Sequence, residues 1–272
     1  MKTAEELQIP EITALLIFTK MKRGIIYLAS GGRSYLGELL TSFQSLRRHE
    51  PELPVTVFSR FELPKGLPHC TAEPITSEEH PLKLKVLTLK ASPYEETLFL
   101  DTDTTIRGPL KGIFDQLGSH DFAAANSHEA DWSVKPMRFV AMVKPRDYNT
   151  GVLLYRKSEP MRRFLAGWEE AVLAQDPSDM WAGHHCDQFY FNQLVAGGAL
   201  ERHGVDFLEL DNVVCNVRGA MLPEIKRLGR TGEVRILHHR TRAMKARKLF
   251  YSVTDWPTIR EIGIKAVNRV RG

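Results

Sequence analysis

The 272 residues, with 43% hydrophobic and 26% charged side chains, fit one large α/β domain or one domain with an appendage. A net charge of +4 is too small for a dedicated nucleic-acid binder, so nucleic acid is not expected as a partner. Cys70, Cys186 and Cys215 form no Cys-x-x-Cys pair, which excludes a disulfide framework or a structural zinc site and favours a reducing compartment.

In chain order, the first apolar stretch is Ile12 to Phe18. It is too short to cross a bilayer and lacks the layout of a signal peptide, so a cytoplasmic protein is expected. Residues 1–23 read as an N-terminal extension. Gly24 to Ser30 (GIIYLAS) is a β-rich run closed by Gly31 and Gly32. Leu36, Leu39, Leu40, Phe43 and Leu46 then recur at helical spacing between Tyr35 and His49, and Pro54 to Ser59 (PVTVFS) is a second strand. Strand, helix, strand in this order predicts a parallel sheet with right-handed crossovers. Pro81 to Ala91 predicts a helix stopped by Ser92 and Pro93. Thr97 to Leu100 is a strand, with further strands at Phe122 to Ala125 and Gly151 to Tyr155. The segment from about Asn126 to Pro145 has no period and is expected as a flexible loop over the site. Helices follow at Pro160 to Ala174, with Phe164 and Trp168 as core, and at His185 to Val195. Strands follow at Val205 to Leu210 and Val234 to His238, and a basic amphipathic helix at Ile259 to Val270.

The segment richest in chemistry is Leu98-Phe99-Leu100-Asp101-Thr102-Asp103. An apolar strand ends in two carboxylates one residue apart, at the sheet edge where ligands of open α/β folds collect. Residues i and i+2 point the same way along a strand, so both carboxylates reach one hard divalent cation, and such a cation neutralises a diphosphate. Asp-x-Asp alone is common as a polar turn. What singles it out is its company: Lys85 sixteen residues upstream, Asn149-Thr150-Gly151, Asp187-Gln188, and His238-His239 at a strand end. His184-His185-Cys186 looks metal-like, but consecutive residues of a helix rarely hold one ion, so they are read as non-ligands.

Lys85 to Lys90 followed by Leu98 to Asp103 resembles the retaining glycosyltransferases of family 8, and the resemblance runs from about Gly24 to Lys245. It implies a single GT-A domain, a mostly parallel sheet flanked by helices, over residues 24–248, with residues 249–272 as a basic amphipathic tail. It implies a nucleotide-diphosphate sugar, UDP-linked in this family, as donor. Ala29, Ser30 and Tyr35 would hold the nucleoside, with Tyr35 packed on the base. Asp101, Thr102 and Asp103 would hold the diphosphate through Mn²⁺ or Mg²⁺, and Lys245 would share its charge. The third metal ligand would be His239, whose distance from Lys245 fits the family, or His238, which fits the apolar pair before it. Lys85, Asn149, Asp187 and Gln188 would surround the reacting sugar, which is transferred with retention either through a covalent intermediate or by same-face attack. The chain departs from the family at Arg240 to Met244, where the family commonly has a glycine between the histidine and the lysine.

The acceptor stays open among glycans, lipid-linked molecules and small molecules. The basic, aromatic tail is compatible with peripheral contact with an anionic membrane. A sugar nucleotidyltransferase and a non-catalytic nucleotide-sugar or glycan-binding protein are the competing readings.

Overall fold

A computed structural model describes residues 22–126, 128–131, 138–141, 148–174 and 187–239. Lys245, the tail, the N-terminal extension up to residue 21 and His184-His185-Cys186 lie outside the described residues.

The chain opens with β1 (Arg23–Ala29), α1 (Arg33–Arg47), β2 (Val55–Ser59) and β3 (Cys70–Pro74). It continues through α2 (Pro81–Lys90), β4 (Glu96–Leu100), β5 (Thr104–Ile106), α3 (Lys111–Leu117) and β6 (Phe122–Asn126). Next come β7 (His128–Asp131), β8 (Arg138–Ala141), β9 (Tyr148–Arg156), α4 (Glu159–Leu173), α5 (Asp187–Ala196) and α6 (Ala199–His203). The last described elements are β10 (Phe207–Leu210), α7 (Asn212–Cys215), β11 (Val217–Arg218), α8 (Leu222–Arg227) and β12 (Ile236–His238).

Seven strands form one sheet in the order β10-β6-β9-β4-β1-β2-β3. Every neighbouring pair is parallel except those made by β9, which runs antiparallel to both β4 and β6. The sheet is therefore mostly parallel, as expected. A smaller sheet, β11-β12-β5, stands at its carboxyl edge. It was not predicted in full, because β5 has three residues and β11 two, too few to display alternation. The stretch expected as a flexible loop contains β7 and β8, paired antiparallel with His128 opposite Ala141. Four-residue strands leave no visible period, which is why the segment read as a loop.

Alternation along the strands sorts the core into two layers. Ile25, Tyr27, Leu98 and Leu100 face α1 and α3 through Leu39, Phe43 and Phe114. Ile26, Phe99, Leu153 and Tyr155 face α2, α4 and α5 through Val86, Phe164, Trp168 and Phe191. The second layer is aromatic, with the Trp168 and Phe191 ring centroids 4.9 Å apart in a tilted pair. Ser158 caps α4 by accepting from the Met161 amide at 3.3 Å, and Pro160 sits in the first turn, where its missing N–H costs nothing. This parity aims the site: Asp101 follows Phe99 by two residues and so points to the α2 side of the sheet.

Candidate active site

Lys85 lies one turn into α2. A lysine on an amphipathic helix is usually solvated, but this one is only 5% exposed. Its Nζ stands 3.1 Å from Asp101 Oδ1 and 2.9 Å from Asp187 Oδ2, and donates to the Thr150 carbonyl at 3.4 Å. Burial disfavours its ammonium, yet the two carboxylates outweigh that and hold its pKa above that of an ordinary lysine. Asp187 opens α5, where the helix dipole favours a negative charge. Its carboxylate also accepts from the Thr150 hydroxyl at 2.7 Å, and its carbonyl accepts from the buried Trp168 indole at 3.2 Å. The aromatic layer thus anchors the start of α5 directly.

The other carboxylate oxygen of Asp101 turns to the small sheet. His238 Nε2 lies 3.7 Å from Asp101 Oδ2 and 3.1 Å from Asp103 Oδ1. Antiparallel pairing of β12 with β5 places His238 opposite Thr104, the residue after Asp103. Burial pushes the Asp101 carboxyl up against the pull of Lys85. At Asp103 burial acts the same way, but the hydrogen bond and charge of His238, with the charge of Arg218, bring its pKa below the usual carboxylate range. Both aspartate side chains keep 29% exposure, so the cluster opens to solvent while His238 is 6% exposed.

Of the two candidate histidines, the structure brings His238 and not His239 to the aspartate carboxylates. His239 leaves the strand on the other side: its Nε2 pairs with the Thr105 hydroxyl at 2.7 Å and its amide donates to the Asp103 carbonyl at 2.7 Å. Strand parity sends the two neighbours to opposite faces. The ligand atoms of Asp101, Asp103 and His238 lie within 4.8 Å of one another. Two carboxylates and an imidazole at that separation match the span of a divalent ion with oxygen and nitrogen ligands at about 2.0–2.4 Å each. Gly151 supplies the room. A Cβ there would lie 2.2 Å from His238 Cε1 and 2.6 Å from Asp101 Oδ2.

Asn149 and Gln188 meet as well. Asn149 Nδ2 donates to Gln188 Oε1 at 2.9 Å, and Asn149 Oδ1 accepts from the Gly151 amide at 3.0 Å. Asn149 therefore ties β9 to α5. Ala29 and Ser30 end β1 at the same carboxyl edge, two and three residues past Tyr27, the register partner of Leu100. Tyr35, in the first turn of α1, is half-exposed and lays its ring on Gly31, where a Cβ would meet it at 2.3 Å. The Thr102 hydroxyl donates to the buried Glu38 carboxylate at 3.2 Å, fixing the turn between the aspartates from the α1 side. Sequence reasoning missed Glu38, Asn216, Arg218 and the steric role of Gly151. Each acts through tertiary contact and leaves no local signature.

No protein-family model matches the chain, and no curated protein sequence does. Solved structures do. The glycosyltransferase GlyE of Streptococcus pneumoniae TIGR4 superposes with a TM-score of 0.56 over 91% of this chain and 64% of its own, at 18% identity. The fold is the GT-A fold. A glycosyltransferase involved in the glycosylation of the major capsid of PBCV-1 superposes with a TM-score of 0.51 over 85% of this chain and 100% of its own, at 13% identity. The bifunctional WbbM follows at 0.50, over 82% of this chain and 46% of its own, at 11% identity. This chain thus spans a little under two thirds of GlyE. Among the described residues, no helix is long and apolar enough to cross a membrane.

Proposed function

We propose that this protein is a metal-dependent glycosyltransferase of family 8 type that moves a hexose from a nucleotide-diphosphate sugar, UDP-linked by resemblance, to an acceptor. The observation that carries the reading is the three-ligand cluster Asp101, Asp103 and His238, set beside the buried Lys85–Asp187 pair at the ligand-binding edge of a GT-A fold. Three carboxylates facing one ammonium and one imidazole leave an excess of negative charge that suits a divalent cation. Mixed oxygen and imidazole ligands favour Mn²⁺, with Mg²⁺ the alternative. When bound, such an ion supplies Lewis-acid stabilisation of the departing nucleoside diphosphate.

The chain's own residues do the rest. Ala29, Ser30 and Tyr35 line the nucleoside end. Lys245, six residues beyond His239, contributes positive charge to the diphosphate. Lys85, engaged by Asp101 and Asp187, couples the cation side to the sugar side. Asp187, held in place by Lys85 and the Thr150 hydroxyl, presents its carboxylate where positive charge develops at the anomeric carbon. Asn149 sets the orientation of the Gln188 amide beside it. Retention follows either from a covalent intermediate or from same-face attack, with Asp187 and Gln188 as the residues to test. Residues 24–248 form the transferase domain in this reading. The composition of the basic tail 249–272 suits peripheral contact with an anionic membrane surface, and the acceptor is a glycan, a lipid-linked molecule or a small molecule.

A panel of nucleotide sugars, incubated with protein and Mn²⁺, tests the proposal. The expected result is release of nucleoside diphosphate from one UDP-sugar, abolished by chelator. Free diphosphate as the product would identify a nucleotidyltransferase instead. Turnover that persists in chelator, or none with any donor and no metal-dependent thermal stabilisation, overturns the reading.

A further inference from the structure

The inward face of α1 is not wholly apolar. Glu38, Ser42 and Ser45 recur at spacings of four and three residues, so they share one side of the helix, and all three are buried. A buried hydroxyl or carboxylate is costly unless it is hydrogen-bonded, and serine is a mediocre helix former, so packing alone gives no reason for this stripe. Its partners do. Across from it runs the stretch 102–106, which begins between the two aspartates. The Glu38 carboxylate accepts from the Thr102 hydroxyl at 3.2 Å, Ser42 Oγ lies 2.8 Å from Thr104 Oγ1, and Ser45 Oγ accepts from the Ile106 amide at 2.8 Å.

The middle contact belongs to a chain of hydroxyls whose direction is fixed. The Thr104 hydroxyl donates to the Asp101 carbonyl at 2.9 Å, which uses its single proton. Towards Ser42 it can then only accept, so Ser42 donates. Ser42 in turn can only accept from Tyr27, whose hydroxyl lies 2.9 Å from Ser42 Oγ. The order is Tyr27 to Ser42 to Thr104 to the Asp101 carbonyl, through side chains that are all buried. Tyr27 is the register partner of Leu100, the residue before Asp101, so the chain begins on β1, passes through α1 and ends just past β4. Hydrogen bonds pointing one way polarise each other in the same sense. The other side of the turn is held by backbone: the Asp101 amide donates to the Gly151 carbonyl at 2.8 Å, and the His239 amide to the Asp103 carbonyl at 2.7 Å. None of these bonds engages an aspartate carboxylate.

We propose that Thr104 and Ser42 are positioning residues for the aspartate pair, with Glu38 as a second arm through Thr102: α1 fixes the backbone of 101–104 so that both carboxylates stand ready before a cation arrives. The consequence for cation binding rests on the metal reading above, whereas the hold on the turn does not. Two measurements separate them. Amide hydrogen exchange at His239, read by NMR without metal, reports whether the Asp103 carbonyl keeps its place. Calorimetric titration with Mn²⁺ alone reports the geometry of the ligands. Thr104→Val keeps the shape without the hydroxyl. It should exchange about tenfold faster at His239 and bind Mn²⁺ about 10- to 100-fold more weakly. Thr104→Ser, which keeps the hydroxyl, should restore both. Ser42→Ala breaks the chain one step further back, should give a smaller change in the same direction, and serves if Thr104→Val does not fold. Ser45→Ala removes the neighbouring bond to the Ile106 amide and should lower the melting temperature while leaving both readouts within a few-fold of wild type. Wild-type exchange in folded Thr104→Val or Ser42→Ala overturns the proposal, and so does an equal change in Ser45→Ala, which would make the stripe merely structural. Wild-type protein that ignores Mn²⁺ overturns the metal reading, while the exchange at His239 still decides whether α1 holds the turn.

Discussion

Asp101 belongs to two half-sites, and they are built differently. On the α2 side, Oδ1 meets Lys85, whose ammonium also meets Asp187, and Thr150 completes the ring from β9. Opposite charges there compensate each other within the protein. On the β12 side, Oδ2, Asp103 and His238 present only groups able to bind a cation, with the aspartates open to solvent. The first half is closed by its own side chains and the second is completed from outside. A closed half should govern stability when it is broken, and an open half should govern ligand binding with little effect on folding.

The largest effect is expected from Lys85→Ala, which leaves two carboxylates facing each other in a buried space. Breaking a buried ion pair by removing one partner costs about 3–5 kcal/mol, so urea denaturation should show a loss of that order together with loss of transfer activity. A stable, active Lys85→Ala protein would refute the closed half. Asp103→Asn and His238→Gln come next and should act on the open half alone. Both should lower Mn²⁺ affinity and kcat/KM by roughly a hundredfold or more while the melting temperature moves little. If either variant unfolds instead, the two halves are not separable. Gly151→Ala sits between them. Its methyl would press on both His238 and Asp101, and overpacking of this kind costs about 1–3 kcal/mol. Weakened Mn²⁺ binding with partly retained stability is expected, measured by calorimetry and thermal unfolding; wild-type Mn²⁺ affinity would show that the strand yields without disturbing the ligands.

The open half was mostly legible in the sequence and the closed half less so. Asp101-Thr102-Asp103 is a local pattern at the end of an apolar strand, and strand geometry is enough to bring its carboxylates together. The spacing from Lys85 also pointed at the site, but not to burial or to Asp187 as the second partner. That contact depends on α5 being pinned by Trp168, over distances no local period encodes. Asn216 was missed, and the contact made by Thr150 was not foreseen, for the same reason: each matters through a hydrogen bond to a residue far along the chain. Six of the seven strands of the main sheet followed from apolar runs of four residues or more, whereas the edge strand β3 was not expected and the small sheet carrying His238 is made of strands of two and three.

That short sheet explains why spacing favoured the histidine that the structure does not bring to the aspartate carboxylates, and it yields the mildest prediction. Counting from Lys245 favoured His239 because distance along the chain ignores which face a strand residue takes. In the structure His238 is buried against Gly151 and Asp103, whereas His239 is half-buried and bonded to Thr105. The Thr105 bond is a side-chain contact at a partly exposed position, worth about 0.5–1.5 kcal/mol. His239→Gln should therefore keep Mn²⁺ affinity and turnover within a few-fold of wild type and lower stability by no more than that amount. His238→Gln should fail in the same calorimetric titration. Equal loss of Mn²⁺ binding in both variants would mean that His239 shares the ligand role, and that the open half extends beyond Asp101, Asp103 and His238. Loss in His239→Gln alone would return the third ligand to the residue that spacing first indicated.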